Sequence, residues 1–184
     1  MLDQRSRDMQ LRLSLKRSDV IYNFFSVFIK HDCGRRNLSL CTVFQEFVDE
    51  EVTPFGNIVF ELFIKDMENI EFCDLFYAIS SFCLFELDEM VKVMWYREDP
   101  EKIGHLFESN IVNFINLLHG EGTNRRNVKA AMKALRFKRD GATTFHECCA
   151  WCKAYPYILE PAFRIQRKFR LNTCVVVSTC DMHY

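Results

Sequence analysis

Glycine and proline are scarce in this sequence, whose 184 residues include 6 Gly and 4 Pro against 18 Phe. Few helix breakers and many bulky apolar side chains favour long helices packed around a phenylalanine-rich core. The net charge of -1 provides no field that would attract nucleic acid. No run reaches the roughly 18 apolar residues of a membrane span. We therefore expect an all-α protein with protein partners, without nucleic acid or a membrane span.

The first residues, MLDQRSRDMQ, lack the apolar segment of an export signal. The nine cysteines are an odd number and are scattered along the chain, so a disulfide framework is not indicated. We expect reduced thiols that act as small core residues in a cytoplasmic protein.

Recognisable catalytic motifs are absent as well. The sequence has no P-loop, no dinucleotide-binding glycine motif and no G-x-S-x-G elbow, and its five histidines are dispersed. A catalytic cysteine would need an organised base, which no motif here places. We therefore predict that the chain is not an enzyme, with a reactive-cysteine enzyme as an unsupported third class.

A repeated pattern is present instead. An amphipathic stripe ending at Leu135 leads into RFKRDGATTFHE, residues 136–147, and a second stripe follows. In this twelve-residue frame Asp140 is at position 5, Gly141 at position 6 and Glu147 at position 12. A calcium-binding EF-hand loop uses those positions for a ligand, a sharp turn and a bidentate carboxylate.

A second frame, DPEKIGHLFESN, covers residues 99–110 between two further stripes. Asp99 is at position 1, Glu101 at position 3 and Gly104 at position 6, where glycine permits a positive φ. Leu106 is at position 8, from which we expect a short β-bridge to a neighbouring loop.

Less complete frames begin at residues 31 and 63, so the four starts are 32, 36 and 37 residues apart. Four helix–loop–helix units at this period resemble the EF-hand superfamily, as in calmodulin and the calcineurin B-like proteins, over about residues 20–155. The resemblance implies two lobes of paired units with a C-terminal helix and extended tails. The expected domains are an arm at 1–19, one pair at 20–86, a second pair at 87–155, and a C-terminal helix and tail at 156–184.

The segment YPYILEPAFRIQRKFR resembles one found in divergent EF-hand proteins of protists. This second resemblance implies a cytoskeletal setting such as a cilium or flagellum. In the helix that Pro161 would begin, Phe163, Ile165 and Phe169 are candidate partner-binding residues, with the arginines outward. The same residues could instead fill a groove within the chain.

Most of the metal ligands that such loops need are missing. Calcium takes six to eight oxygens, but Arg136 and Lys138 are cations at positions 1 and 3 of the last loop. The loop at 99–110 has Ile103 at position 5 and Asn110 at position 12. The remaining calcium candidates are Asp99, Glu101 and Asn110 in that loop, and Asp140 and Glu147 in the last loop.

The segment HECCAWC contains His146, Cys148, Cys149 and Cys152, which are ligand types that zinc favours. On a helix Cys148 and Cys152 share a face while the other two point elsewhere, which favours core thiols. We expect no cofactor. The sequence thus predicts a calcium-independent interaction subunit of a larger assembly, and the alternative is a calmodulin-type calcium sensor that uses the loop at 99–110.

Overall fold

The computed structural model describes residues 26, 28, 29, 39–49, 51–67, 70–120, 126–135 and 141–172. The predicted arm at 1–19, the loop that begins at residue 31 up to residue 38, and the tail from residue 173 lie outside this part of the chain. So do residues 136–140, which include Asp140. The predicted domain ranges stay predictions.

Helices account for most of the described residues, as the composition predicts. Outside them the described residues form one 3₁₀ turn, Pro156–Ile158, and one sheet of two short strands, β1 (His105–Phe107) and β2 (Ala142–Thr144). The α-helices are α1 (Leu40–Val48), α2 (Pro54–Glu61), α3 (Phe72–Leu84), α4 (Leu87–Glu98), α5 (Glu108–His119), α6 (Arg126–Ala134), α7 (Phe145–Ala154) and α8 (Glu160–Asn172). The mainly helical class is therefore confirmed, with a small sheet added to it.

Polar side chains fix where several helices begin. Ser39 precedes α1, and its Oγ accepts a hydrogen bond from the Thr42 backbone N–H at 3.2 Å. Before α4, the Glu86 backbone N–H donates to Glu89 Oε2 at 2.9 Å. Such contacts satisfy N–H groups that have no partner within the helix, so these polar residues mark where the helices start.

The chain forms two compact units. The first contains the described residues up to Val52, Gly56–Leu84 and α8 from Ile165 onward, and the second contains Thr53–Phe55 and Phe85–Arg164. Within the described residues, no helix combines the length and apolar character needed to cross a membrane.

Aromatic rings form the core of the first unit. Phe44, Phe60, Phe82 and Phe169 are at most 1% exposed, and the Phe44 and Phe60 ring centroids are 5.7 Å apart. Gly56 lies directly against Phe44, so that a Cβ added at Gly56 would overlap the end of the ring. The close approach of α2 to α1 therefore depends on a residue without a side chain.

The second unit is built around α4 and α7. Trp95 of α4 makes an edge-to-face contact with Phe145 of α7 at 5.5 Å between ring centroids. Trp151, also on α7, donates from Nε1 to the Ala131 carbonyl oxygen of α6 at 2.9 Å. This bond gives the indole its polar partner inside a core, as buried tryptophans usually require.

Replacing Gly56 by alanine tests the contact between α1 and α2. In an exposed helix this change stabilises by up to about 1 kcal/mol, whereas here the Phe44 ring must move. We expect Gly56→Ala to lower the free energy of unfolding by about 1–3 kcal/mol, measured by urea denaturation. The control is Asn57→Ala at the next, exposed position of α2. Equal stabilisation by both changes would contradict the packing.

Candidate metal loops and partner-binding helix

The segment between α4 and α5 contains the first group of predicted calcium ligands. Asp99 is 5% exposed, and both of its carboxylate oxygens accept backbone hydrogen bonds. Ile103 N–H donates to Oδ1 at 2.7 Å, and Gly104 N–H donates to Oδ2 at 2.8 Å. The Gly104 hydrogen bond is the main cause that lowers the pKa of Asp99, and burial opposes it. The carboxylate is therefore ionised at neutral pH and holds the turn.

The other two candidates in this loop lie in different surroundings. Glu101 is exposed at the outside of the turn. Asn110 Oδ1 accepts from the Phe107 backbone N–H at 3.0 Å, and its Nδ2 donates to the Glu98 carbonyl oxygen at 3.5 Å. Asn110 thus closes the start of α5, which is a structural use of the predicted ligand.

Glu147 has the same use at the start of α7. Its Oε2 accepts from the Thr144 backbone N–H at 2.8 Å and from Thr144 Oγ1 at 2.7 Å. The Thr144 hydroxyl oxygen in turn accepts from the Glu147 backbone N–H at 3.4 Å. This reciprocal pair is a capping box. The predicted metal role of Glu147 stays a prediction, and in this structure the side chain caps its own helix.

The two loops meet through their strands. β1 and β2 pair antiparallel, with Leu106 opposite Thr143 at the centre. These residues occupy position 8 of the two twelve-residue frames, so the short bridge predicted from Leu106 to a neighbouring loop is present. Gly104 and Gly141, both at position 6, have φ angles of 86° and 75°. Both turns thus use the backbone region that glycine enters without strain.

Within the described residues, no group of three or more histidine, cysteine, aspartate or glutamate side chains is arranged so that it could hold a metal ion. The four residues that the sequence offers as zinc ligands differ in their exposure to solvent. His146 is exposed, whereas Cys148, Cys149 and Cys152 are buried.

Burial also sets the protonation of these thiols. The pKa of Cys152 is raised far above its usual value, first by a hydrogen bond with Cys148 and then by burial. Burial raises the pKa of Cys149 to about 11, and that of Cys83 in the first unit to about 12. Thiols of this kind are protonated at neutral pH, and a protonated thiol is neither a strong nucleophile nor a metal ligand.

The partner-binding candidates lie in α8. Phe163 is half-buried, whereas Ile165 and Phe169 are buried at 1% and 0% exposure. The Phe169 ring centroid lies 5.6 Å from that of Phe44, 5.8 Å from that of Phe60 and 6.1 Å from that of Phe82. These contacts support the alternative in which α8 fills a groove of its own chain. Partner binding by Phe163, Ile165 and Phe169 stays a prediction.

Two polar residues of α8, which the sequence reasoning missed, cap the end of α3. Gln166 is 1% exposed and donates from Nε2 to the Phe82 carbonyl oxygen at 2.8 Å. Arg170 donates from Nε to the Cys83 carbonyl oxygen at 2.9 Å, and its Nη2 contacts the same oxygen. Helix ends leave carbonyl groups without partners inside the helix, and cations favour that end of the helix dipole.

The expectation that the arginines of this helix point outward is therefore wrong for Arg170. Arg164 and Arg167 are exposed, but Arg170 is half-buried and directed at the end of α3. Burial lowers its pKa below the usual value. The sequence spacing could have indicated this inward direction, because Gln166 and Arg170 are four residues apart and flank Phe169 on the apolar side of the helix.

Comparison with known proteins gives no family assignment: the chain matches no known protein family, and no curated protein matches it.

Removing the Arg170 cap tests the attachment of α8. Arg170→Met keeps the length and apolar body of the side chain but leaves the Cys83 carbonyl oxygen without its donor. We expect the free energy of unfolding to fall by about 1–3 kcal/mol, the usual cost of an unsatisfied buried group. The control is Lys65→Met at an exposed position of the first unit, with an expected change within about 0.5 kcal/mol. Equal losses in both variants would contradict the cap.

The raised thiol pKa values predict alkaline sensitivity. Above pH 9.0 the thiols ionise in the unfolded chain, while Cys83 stays protonated in the folded chain until about pH 12. The folded state then binds more protons, so stability is lost as the pH rises. Each such thiol adds a slope of about 1.4 kcal/mol per pH unit to urea denaturation between pH 9 and 11. Cys83→Ala should reduce that slope, because it removes a thiol that stays protonated in the folded chain. An unchanged slope in Cys83→Ala would refute the assignment.

Proposed function

We propose that the chain is a non-catalytic, calcium-independent interaction subunit of a larger intracellular assembly, built from EF-hand-like helix–loop–helix units. The arrangement of α4, β1 and α5 followed by α6, β2 and α7 supports this proposal. So does the pairing of position 8 with position 8 between two frames that the sequence predicts independently. The glycine at position 6 and the helix cap formed by the position-12 side chain also recur in both loops.

The main support for calcium independence is the pair of backbone hydrogen bonds that Asp99 accepts. Its two oxygens serve as acceptors for backbone N–H groups, so the turn has internal partners for the charge that a calcium ion would otherwise balance. The loop also lacks an oxygen ligand for calcium at position 5, where Ile103 is apolar and 57% exposed. The loop has a source of order that does not depend on an ion.

The non-catalytic part draws support from the thiols. Cysteine nucleophiles act as thiolates, and the pKa shifts of Cys83, Cys149 and Cys152 favour the protonated form. The exposed thiol of Cys41 lies in α1, and no catalytic motif accompanies it. An interaction role needs only surfaces, and the paired helices provide these.

A cytoskeletal setting, ciliary or flagellar, belongs to the same proposal. Its support is the likeness of the α8 segment to divergent protist EF-hand proteins. Localisation of a tagged chain in a ciliated protist cell tests it, because an axonemal or cytoskeletal signal that survives detergent extraction is expected. A diffuse signal removed completely by detergent would speak against this setting.

Calcium titration tests the main proposal against the calcium-sensor alternative, which the ionised Asp99 at position 1 favours. Trp95 lies in the last turn of α4, just before this loop, and contacts Phe145, so its fluorescence reports rearrangement there. For the unmodified chain we expect no calorimetric binding and no fluorescence change up to millimolar calcium. Binding at micromolar or lower concentration would contradict calcium independence.

The matched control restores the missing ligands. Ile103→Asp with Asn110→Glu places carboxylates at positions 5 and 12, and the exposed site of Ile103 tolerates a polar side chain. Ligand charge count sets affinity in such loops, so this variant should gain measurable calcium binding. Failure of the variant to bind would argue against an EF-hand-like loop, separately from the result with the unmodified chain.

A further inference from the structure

An apolar groove lies between α5 and α6 in the second unit. Its cavity has a volume of about 310 Å³. Val112 and Ile115 of α5 and Val128 and Met132 of α6 provide the apolar lining. Val112 is 41% exposed, whereas Ile115 and Val128 are about 5% exposed, so the groove has a buried floor and an open apolar edge.

A second cavity, of about 360 Å³, shares Val128 with the first and extends to His119 at the end of α5. From Val112 to His119 the helix rises by about 10 Å, or two helical turns. A groove of this length accepts two apolar side chains that lie one turn apart on a bound helix.

The charged residues that line the first cavity are both positive. Lys129 and Lys133 line the first cavity and are exposed, and Arg126 lines the second. Their spacing places them along one side of α6, a helix whose sequence RNVKAAMKA has no acidic residue. On α5 the acidic residue is Glu108, one turn before Val112. Glu160 also lines the second cavity, so among the described lining residues the part of the groove without a carboxylate is the one beside Lys129 and Lys133.

We propose that this α5–α6 groove binds an acidic amphipathic helix of a protein partner. Two apolar side chains of that helix, three or four residues apart, enter the groove over Ile115 and Val128. Its carboxylates face Lys129 and Lys133. The concave apolar floor suits the ridge of a helix, whereas a lipid surface is bound by a protruding apolar face. This proposal names the partner chemistry of the interaction subunit and so rests on the proposed function.

Fluorescence anisotropy with the full chain in EDTA tests the groove. The probe is an 18-residue helical peptide of Leu, Ala and Glu, with Leu at i, i+3, i+4 and i+7 and Glu on the flanking positions. A second peptide has Lys in place of Glu. We expect the acidic peptide to bind at least tenfold more tightly than the basic one, with affinity that falls as salt rises.

Charge reversal in the chain locates the site. Lys129→Glu with Lys133→Glu should weaken the acidic peptide about tenfold or more and strengthen the basic one, without a change in melting temperature. Lys65→Glu with Lys92→Glu makes the same change in net charge at exposed positions outside the groove and should leave binding unchanged. Val112→Asp should weaken the acidic peptide through loss of the apolar edge and repulsion.

Three outcomes would overturn the inference: no binding of the acidic peptide either in EDTA or with added calcium, equal binding of both peptides, or equal effects of the two double variants. Binding of phosphatidylserine vesicles that depends on Lys129 and Lys133, with no peptide binding, would also overturn it and would identify a membrane surface instead. Peptide binding that needs added calcium would contradict the proposed calcium independence while supporting the groove, so the two proposals fail separately.

Discussion

The second unit depends on the hydrogen bonds that Asp99 accepts from the backbone of its own turn. Ile103 and Gly104 donate to its two oxygens, and this fixes the path of the chain from α4 into β1. β1 then lies beside β2, with Leu106 opposite Thr143. Since β2 leads directly into α7, whose Phe145 contacts Trp95 of α4, one buried carboxylate links the turn, the sheet and the helix packing.

In the first unit the end of α8 has a comparable organising role. Phe169 contributes its ring to the aromatic core, while Gln166 and Arg170 donate to the last carbonyl groups of α3. The apolar contact provides burial and the polar contacts fix position, because a hydrogen bond weakens steeply when its donor N–H is not aligned with the acceptor oxygen. The end of α8 therefore provides both the apolar burial that attaches this helix to the first unit and the hydrogen bonds that fix its position at the end of α3.

Sequence patterns gave the helical class and the bridge at Leu106, because apolar periodicity and loop frames are local properties of the chain. The uses of Asp99 and Asn110 were not predictable, since the same oxygens suit an ion or a backbone N–H, and the choice depends on the path of the loop. The inward direction of the half-buried Arg170 was also not predicted, because an arginine normally faces water unless a partner such as the Cys83 carbonyl is close. The position of Lys129 and Lys133 beside an apolar groove was also not predictable, because the groove depends on how α5 and α6 pack.

Amide hydrogen exchange, followed by NMR in excess EDTA, tests most directly whether the turn at Asp99 is held by the chain itself. Slow exchange of the Ile103 and Gly104 amides is expected without any divalent ion, together with faster exchange of both amides when Asp99 is replaced by alanine. Exchange at the rate of an unprotected peptide in EDTA, with protection that appears only after calcium is added, would contradict the account.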